Sequence, residues 1–232
     1  MSRRAENLLD RSWNALDRGA AMRARSLARR ALGSTREPAL RAEARHLLGR
    51  IALERGDSER AAELLRRAVG EGGDWPDLFY DLGLALGDLG RWKEQRDAFL
   101  EVLELDAMLD GDAGSLDEDS LVRAAEETLD ELPDEMLSRL LHVPILVDDR
   151  PDRGLIEEGF DPRALGLFDG PPYSEQGATG PALNRIVLFR ANIAAVAPDR
   201  ESARREVRIT LLHETAHYFG LDEEQVAELG LA

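Results

Sequence analysis

The sequence predicts an α+β chain: an all-α N-terminal region of helical repeats, then a compact domain with a small mixed sheet. Three observations lead there. The first hundred positions resemble themselves at a spacing of 34 residues. An acidic stretch nearly free of large side chains follows at 108–119. Beyond it, short apolar runs bounded by Pro, Gly and Asp alternate with segments of helical period. The expected organisation is therefore a repeat domain over 1–107, a linker over 108–119 and a second domain over 120–232.

Bulk properties allow this plan. A chain of 232 residues with 43% hydrophobic and 33% charged residues can bury two modest cores. No run approaches the roughly 18 apolar residues of a spanning helix. The opening MSRRAENLLDRSWNALDRG scatters charges where a signal peptide would carry an apolar region. The absence of cysteine excludes disulfides, thiolate zinc sites and cysteine nucleophiles. Together these features lead us to expect a cytoplasmic protein with no membrane partner.

The net charge of −16 is unevenly spread. Residues 1–50 hold 12 Arg against 5 acidic residues, while the remainder is strongly acidic. Those arginines recur along helical segments without interleaved aromatics, and the chain contains a single Lys. The pattern reads as solvated helix faces and argues against nucleic acid as a partner.

In the N-terminal region Leu48-Gly49 recurs as Leu82-Gly83, Gly56 as Gly90, Leu65 as Phe99, and Ala68 as Val102. An eroded first copy aligns Ala15, Gly19, Ala24 and Ala31 with Ala52, Gly56, Ala61 and Ala68. Each copy is a helix-period pattern, a Gly, and a second such pattern. Over about residues 5–107 this resembles the tetratricopeptide repeat, departing from it at Gln95, where a small residue is usual. The resemblance implies about three helix-turn-helix units whose inner surface holds a peptide or partner protein.

The acidic stretch DAMLDGDAGSLDEDS lacks the Asx-Gly pair of a calcium loop and reads as linker. EDSLVRAAEETLDEL then predicts a helix, and Pro133 opens another, PDEMLSRLL. HVPILVDD predicts a buried strand, LGLFDG a small edge strand, DGPPYSEQGATGPA an irregular loop, and RIVLFR a further strand. Residues 200–219 predict a long helix ended by Gly220. In the short helix DEEQVAEL, Asp222 caps and Gln225 completes a capping box.

The long helix carries His213-Glu214-Thr215-Ala216-His217. Histidines four apart project from one face of a helix, so both imidazoles can bind one Zn²⁺ at ~2.0–2.1 Å. Glu214, about 100° round the helix, flanks the metal and can serve as general base and then acid. We expect Ile209, Leu212, Ala216 and Phe219 to form the helix's buried stripe, and His46 and His142 to be structural. Catalytic zinc normally takes a third protein ligand. Glu223 stands ten residues after His213, where the pattern H-E-x-x-H-x-x-G-x-x-(His/Asp) places its last ligand; Glu224, Asp222 and Glu228 are rivals. Met136 is the last methionine, so the methionine turn of a metzincin is absent.

From about Leu121 to Gly230 the chain resembles the small bacterial metallopeptidases of minimal zincin fold. The segments carrying this are LPDEMLSRL, VPILVDD, LGLFDGPP, RIVLFR and TLLHETAHYFGLDEEQVAELG. Asp222-Glu223-Glu224 stands where the family usually has Ser-Asp-Glu. The resemblance implies a zinc-dependent peptidase that hydrolyses peptide bonds with metal-activated water. Its metal residues would be His213, His217 and Glu223, and its catalytic residue Glu214. RIVLFR is expected beside the cleft, where it could pair with substrate backbone, and Tyr173 and Tyr218 are candidate transition-state donors. The repeats would recruit a protein substrate or partner. The alternative is a non-catalytic interaction scaffold carrying a structural or degenerate zinc module.

Overall fold

The computed structural model describes residues 2–109, 116–140, 143–170, 184–197 and 199–228. The centre of the acidic linker, His142, and the Gly/Pro-rich stretch with Tyr173 lie outside the described residues. The chain divides into two compact units. One comprises residues 1–109 with 153–162; the other comprises 110–152 with 163–232.

The first unit is all-helical. Three pairs pack in succession: α1 (Ser2–Leu16) with α2 (Ala21–Ser34), α3 (Pro38–Leu53) with α4 (Ser58–Gly70), and α5 (Pro76–Asp88) with α6 (Trp92–Leu109). The repeated glycines end the first helix of each pair in the same way. Gly19, Gly56 and Gly90 have φ of 70, 72 and 68°, a conformation that favours glycine. Their N–H groups donate to the carbonyls of Leu16, Leu53 and Gly87, and the following residue donates one step further back. This double bond closes a helix end and turns the chain into the next helix.

The 34-residue spacing also has a packing cause. A Cβ on Gly49 would lie 2.6 Å from Leu65 Cγ, and one on Gly83 would lie 2.3 Å from Phe99 Cε1. The paired helices touch where the first has no side chain, so glycine and large apolar partner repeat together. Gln95 is accommodated because it packs over Gly87, where a Cβ would lie 2.6 Å from its amide nitrogen.

His46 is buried in this unit, as expected of a structural residue. Trp75 Nε1–H donates to His46 Nδ1 at 3.1 Å. An indole can only donate, so Nδ1 is the acceptor and Nε2–H is free to donate to Asp81 Oδ2 at 2.9 Å.

A short helix, α9 (Arg153–Glu158), belongs with this unit although it follows residue 120 in sequence. Ile156 is fully buried, Tyr80 donates its hydroxyl proton to Asp161 at 2.9 Å, and Arg153 pairs with Glu104 at 3.2 Å.

The second unit contains α7 (Glu118–Asp130), α8 (Asp134–Leu140), β1 (Ile145–Asp148), β2 (Gly166–Asp169), β3 (Arg185–Phe189), α10 (Arg190–Val196), α11 (Arg200–Tyr218) and α12 (Glu223–Glu228). The sheet is small and mixed, in the order β1-β3-β2, with β1 parallel and β2 antiparallel to β3. β3 is central and buried from Ile186 to Phe189. The expectation that RIVLFR pairs with substrate is therefore corrected: both its edges are taken by β1 and β2. β2 forms one edge of the sheet, as the segment LGLFDG suggested.

Ile186, Leu188, Ile193, Ala203, Val207 and Leu211 share a core with Leu121, Ala124 and Ala125 of α7. The buried face of α11 runs through Ala203, Val207, Leu211, Glu214 and Tyr218. The expected stripe was thus rotated. Ile209 is 41% exposed, and only Ala216 of the four named residues is buried. Arg204 and Arg208, outside that face, reach Glu127 and Glu131 of the α7 region.

Asp199 caps α11. Its carboxylate accepts from the Ser202 N–H at 2.8 Å and the Ser202 hydroxyl at 2.7 Å. The backbone hydrogen bond first, then the hydroxyl, hold its pKa below the usual carboxylate value. A depressed folded-state pKa contributes stability that is present above the unfolded value of about 3.9 and lost as pH falls through the folded one. Asp199→Asn keeps a capping oxygen but no charge. The variant should therefore lose part of the acid limb in a plot of denaturation midpoint against pH. An unaltered limb would place the acid sensitivity elsewhere.

Candidate active site

The site is built at the C-terminal end of α11. His213 and His217 lie one turn apart, both half-buried, and their Nε2 atoms face each other at 2.9 Å. Gly220, with φ of 87°, closes the helix by donating to His217 O, while Leu221 N–H donates to Ala216 O. This turn brings the Leu221 carbonyl to His217 Nδ1 at 2.9 Å. Nδ1–H donates to that oxygen, which leaves the Nε2 lone pair directed at His213.

Two imidazole nitrogens bound to zinc at ~2.0–2.1 Å in tetrahedral geometry stand about 3.3 Å apart. The observed spacing is a few tenths of an ångström shorter, within reach of a small ring rotation. The histidine side of the site therefore fits a zinc ion, with the backbone bond that commonly orients such a ligand already in place.

Glu214 is 8% exposed and turned toward the sheet. Its Oε2 accepts from the Phe168 N–H of β2 at 2.7 Å. Sequence reasoning missed this contact because a backbone donor leaves no side-chain signature. It also missed Gly166, which permits it. A Cβ there would lie 2.5 Å from Thr210 Cγ2 and 3.1 Å from Val187 O, so only glycine lets β2 lie this close to α11. The nearest legible signal was the Gly in the predicted edge strand LGLFDG.

The Tyr218 ring packs against two other aromatic rings. It is 2% exposed, edge-on to Phe168 at 5.4 Å and to Phe219 at 5.1 Å. Both contacts place its ring in the core.

Asp222 serves α12 as expected. Its Oδ1 accepts from Gln225 N–H at 3.0 Å, and Gln225 Oε1 accepts from Asp222 N–H at 2.9 Å. Glu224 and Glu228 are exposed. Among the described residues, no three His, Asp or Glu side chains are gathered so as to hold a metal ion. Asp222, Glu224 and Glu228 thus do not join the two histidines, and the Glu223 side chain lies outside the described residues.

Residues 140–231 match the family model described as zincin-like metallopeptidase. The matched stretch begins at the end of α8 and contains all three strands, the histidine pair and the capped α12. The chain thus has a C-terminal zincin-like region preceded by an all-helical region consistent with repeats. No curated protein matches the chain. Among the described residues, no helix is long and apolar enough to cross a membrane.

Proposed function

We propose that the zincin-like unit is a zinc-dependent peptidase in which His213 and His217 hold the metal through Nε2 and Glu223 completes the protein ligands. The observation that carries this reading is the convergence of the two Nε2 atoms at 2.9 Å, with His217 oriented by the Leu221 carbonyl. Glu223 is favoured because it stands ten residues after His213, where the pattern H-E-x-x-H-x-x-G-x-x-(His/Asp) places its last ligand. Zinc bound there would lower the pKa of water toward ~7 and polarise the peptide carbonyl.

The chain's own contribution is proton handling and positioning. Glu214 takes a proton from the attacking water as its oxygen bonds to the carbonyl carbon, then gives it to the amine nitrogen as the C–N bond breaks. The Phe168 N–H holds the Glu214 carboxylate at the edge of β2 while this happens. The helical repeats recruit a protein substrate or partner.

A second reading is favoured by a specific observation. The protein is a non-catalytic interaction scaffold whose zinc module is structural or degenerate. Among the described residues no three-ligand group is present, and the Glu214 carboxylate is buried against a backbone donor. This reading asks less of the site: the match over 140–231 and the helical N-terminal region already meet what it needs.

One experiment separates the two. Protein purified without chelator is assayed for zinc and for cleavage of an unfolded reporter protein, with and without a zinc chelator. The peptidase reading expects about one zinc per chain and cleavage abolished by the chelator. No chelator-sensitive cleavage, with or without bound zinc, would overturn the peptidase reading and favour the scaffold.

A further inference from the structure

The first helices of the three pairs touch one another, α1 on α3 and α3 on α5. Between them is a cavity of ≈ 390 Å³ lined by Trp13, Leu40, Glu43, His46, Trp75 and Asp77, among others. Two of the chain's three tryptophans converge here. They flank the buried His46 ring, with centroids at 5.4 Å for Trp13 and 5.6 Å for Trp75.

Both indole N–H groups are already committed. Trp13 Nε1–H donates to Glu43 Oε1 at 3.1 Å, and Trp75 Nε1–H donates to His46 Nδ1 at 3.1 Å. His46 is in turn held by Asp81. These bonds fix the rings and leave carbon and π surface to face a ligand. An aromatic face carries negative electrostatic potential, so a cation is the group it attracts.

The charges lining the cavity have the same sign. Glu43 is half-buried and Asp77 exposed, and among the described residues no Arg or Lys lines the cavity. Arg25, Arg29, Arg55 and Arg60 line a separate cavity of ≈ 330 Å³ among α2, α3 and α4. Two fixed indoles, an apolar wall at Leu40 and two carboxylates complement a cationic head on an apolar stem, which describes an arginine or lysine side chain.

We propose that this cavity is a recognition pocket for a basic side chain of a peptide or protein segment, an arginine or lysine seated against Trp13 and Trp75 and neutralised by Glu43 and Asp77. The site lies wholly in the helical unit and needs neither zinc nor Glu214, so its success or failure is independent of the peptidase reading.

The test uses the full chain and reads the three indole N–H resonances by NMR. Trp92 is 61% exposed on α6 and does not line the pocket, so it is the internal control. The probe is acetyl-Gly-Leu-Arg-Leu-Gly-amide, whose blocked ends leave the guanidinium as its only charge. Matched peptides carry lysine, citrulline or glutamate in place of arginine.

The expected result is a saturable shift of the Trp13 and Trp75 resonances with arginine or lysine, while that of Trp92 stays still. The citrulline peptide should bind at least about tenfold more weakly, since it keeps the shape and loses the charge. Added salt should weaken the arginine peptide and leave the citrulline peptide nearly unaffected. A Glu43→Gln, Asp77→Asn variant should bring arginine down to the citrulline level. The Glu214→Gln protein should bind as the parent does.

Several outcomes would overturn the proposal. They are no Trp13 or Trp75 shift at millimolar arginine peptide, equal binding of arginine and citrulline, or tighter binding of the glutamate peptide. If the double variant fails to fold, the peptide series on the parent protein still decides.

Discussion

Glu214→Gln will leave about one zinc per chain while cleavage of an unfolded reporter falls by roughly two to four orders of magnitude. Glutamine has the size and carbonyl oxygen needed to accept from the Phe168 N–H, so the contact between α11 and β2 survives. What disappears is the carboxylate that moves the proton. Glu214→Ala makes the comparison informative. It removes the acceptor as well, leaving a donor at the sheet edge without its partner, at a cost of about 1–3 kcal/mol if water does not replace it. The pair of variants thus separates chemistry from support: Gln should lose activity with little loss of stability, and Ala should lose both. Parental cleavage rates in Glu214→Gln would falsify the role of Glu214 as proton carrier and leave it as a tether for β2. Loss of zinc in that variant would instead make it a ligand.

Replacing both histidines, His213→Ala with His217→Ala, should abolish zinc binding and with it the zinc-dependent rise in melting temperature. A ligand present at a hundred times its Kd stabilises the folded state by about 2.7 kcal/mol, so the shift is measurable by calorimetry. The single variants should differ. His213→Ala removes one Nε2 donor. His217→Ala also removes the partner of the Leu221 carbonyl, and should loosen the turn into α12 even without metal. Glu223→Ala should weaken zinc binding, whereas Glu224→Ala and Glu228→Ala should leave it unchanged. Full zinc in the double histidine variant would remove this pair from any account of the metal, and an unaffected Glu223→Ala would return the third ligand to its rivals.

Local signals in the sequence were sufficient wherever one segment decides its own structure. The glycines at 19, 56 and 90 marked helix ends because the left-handed turn they adopt favours glycine. Asp222 and Gln225 announced their reciprocal cap three residues apart, and the spacing of His213 and His217 placed both rings on one side of α11. The locations of β1, edge strand β2 and the 19-residue helix α11 were likewise legible from apolar runs and their breakers. β1, however, expected to be buried, is the other edge strand, with Leu146 40% exposed.

Tertiary structure decided what depends on partners distant in sequence. The buried face of α11 runs through Val207, Leu211 and Glu214, not through Ile209, because the sheet and α7 determine which side meets the core. β3 became the central strand because β1 and β2 both pair with it, a fact no single strand's pattern contains. Residues 153–162 joined the helical unit, where Ile156 finds full burial that its own short segment gave no reason to expect. The bond from Phe168 N–H to Glu214 joins residues 46 apart through a backbone group that every non-proline residue carries. Sequence records which side chains a segment offers. Which of them are buried, and which backbone donors they meet, follows only from the packing of whole elements.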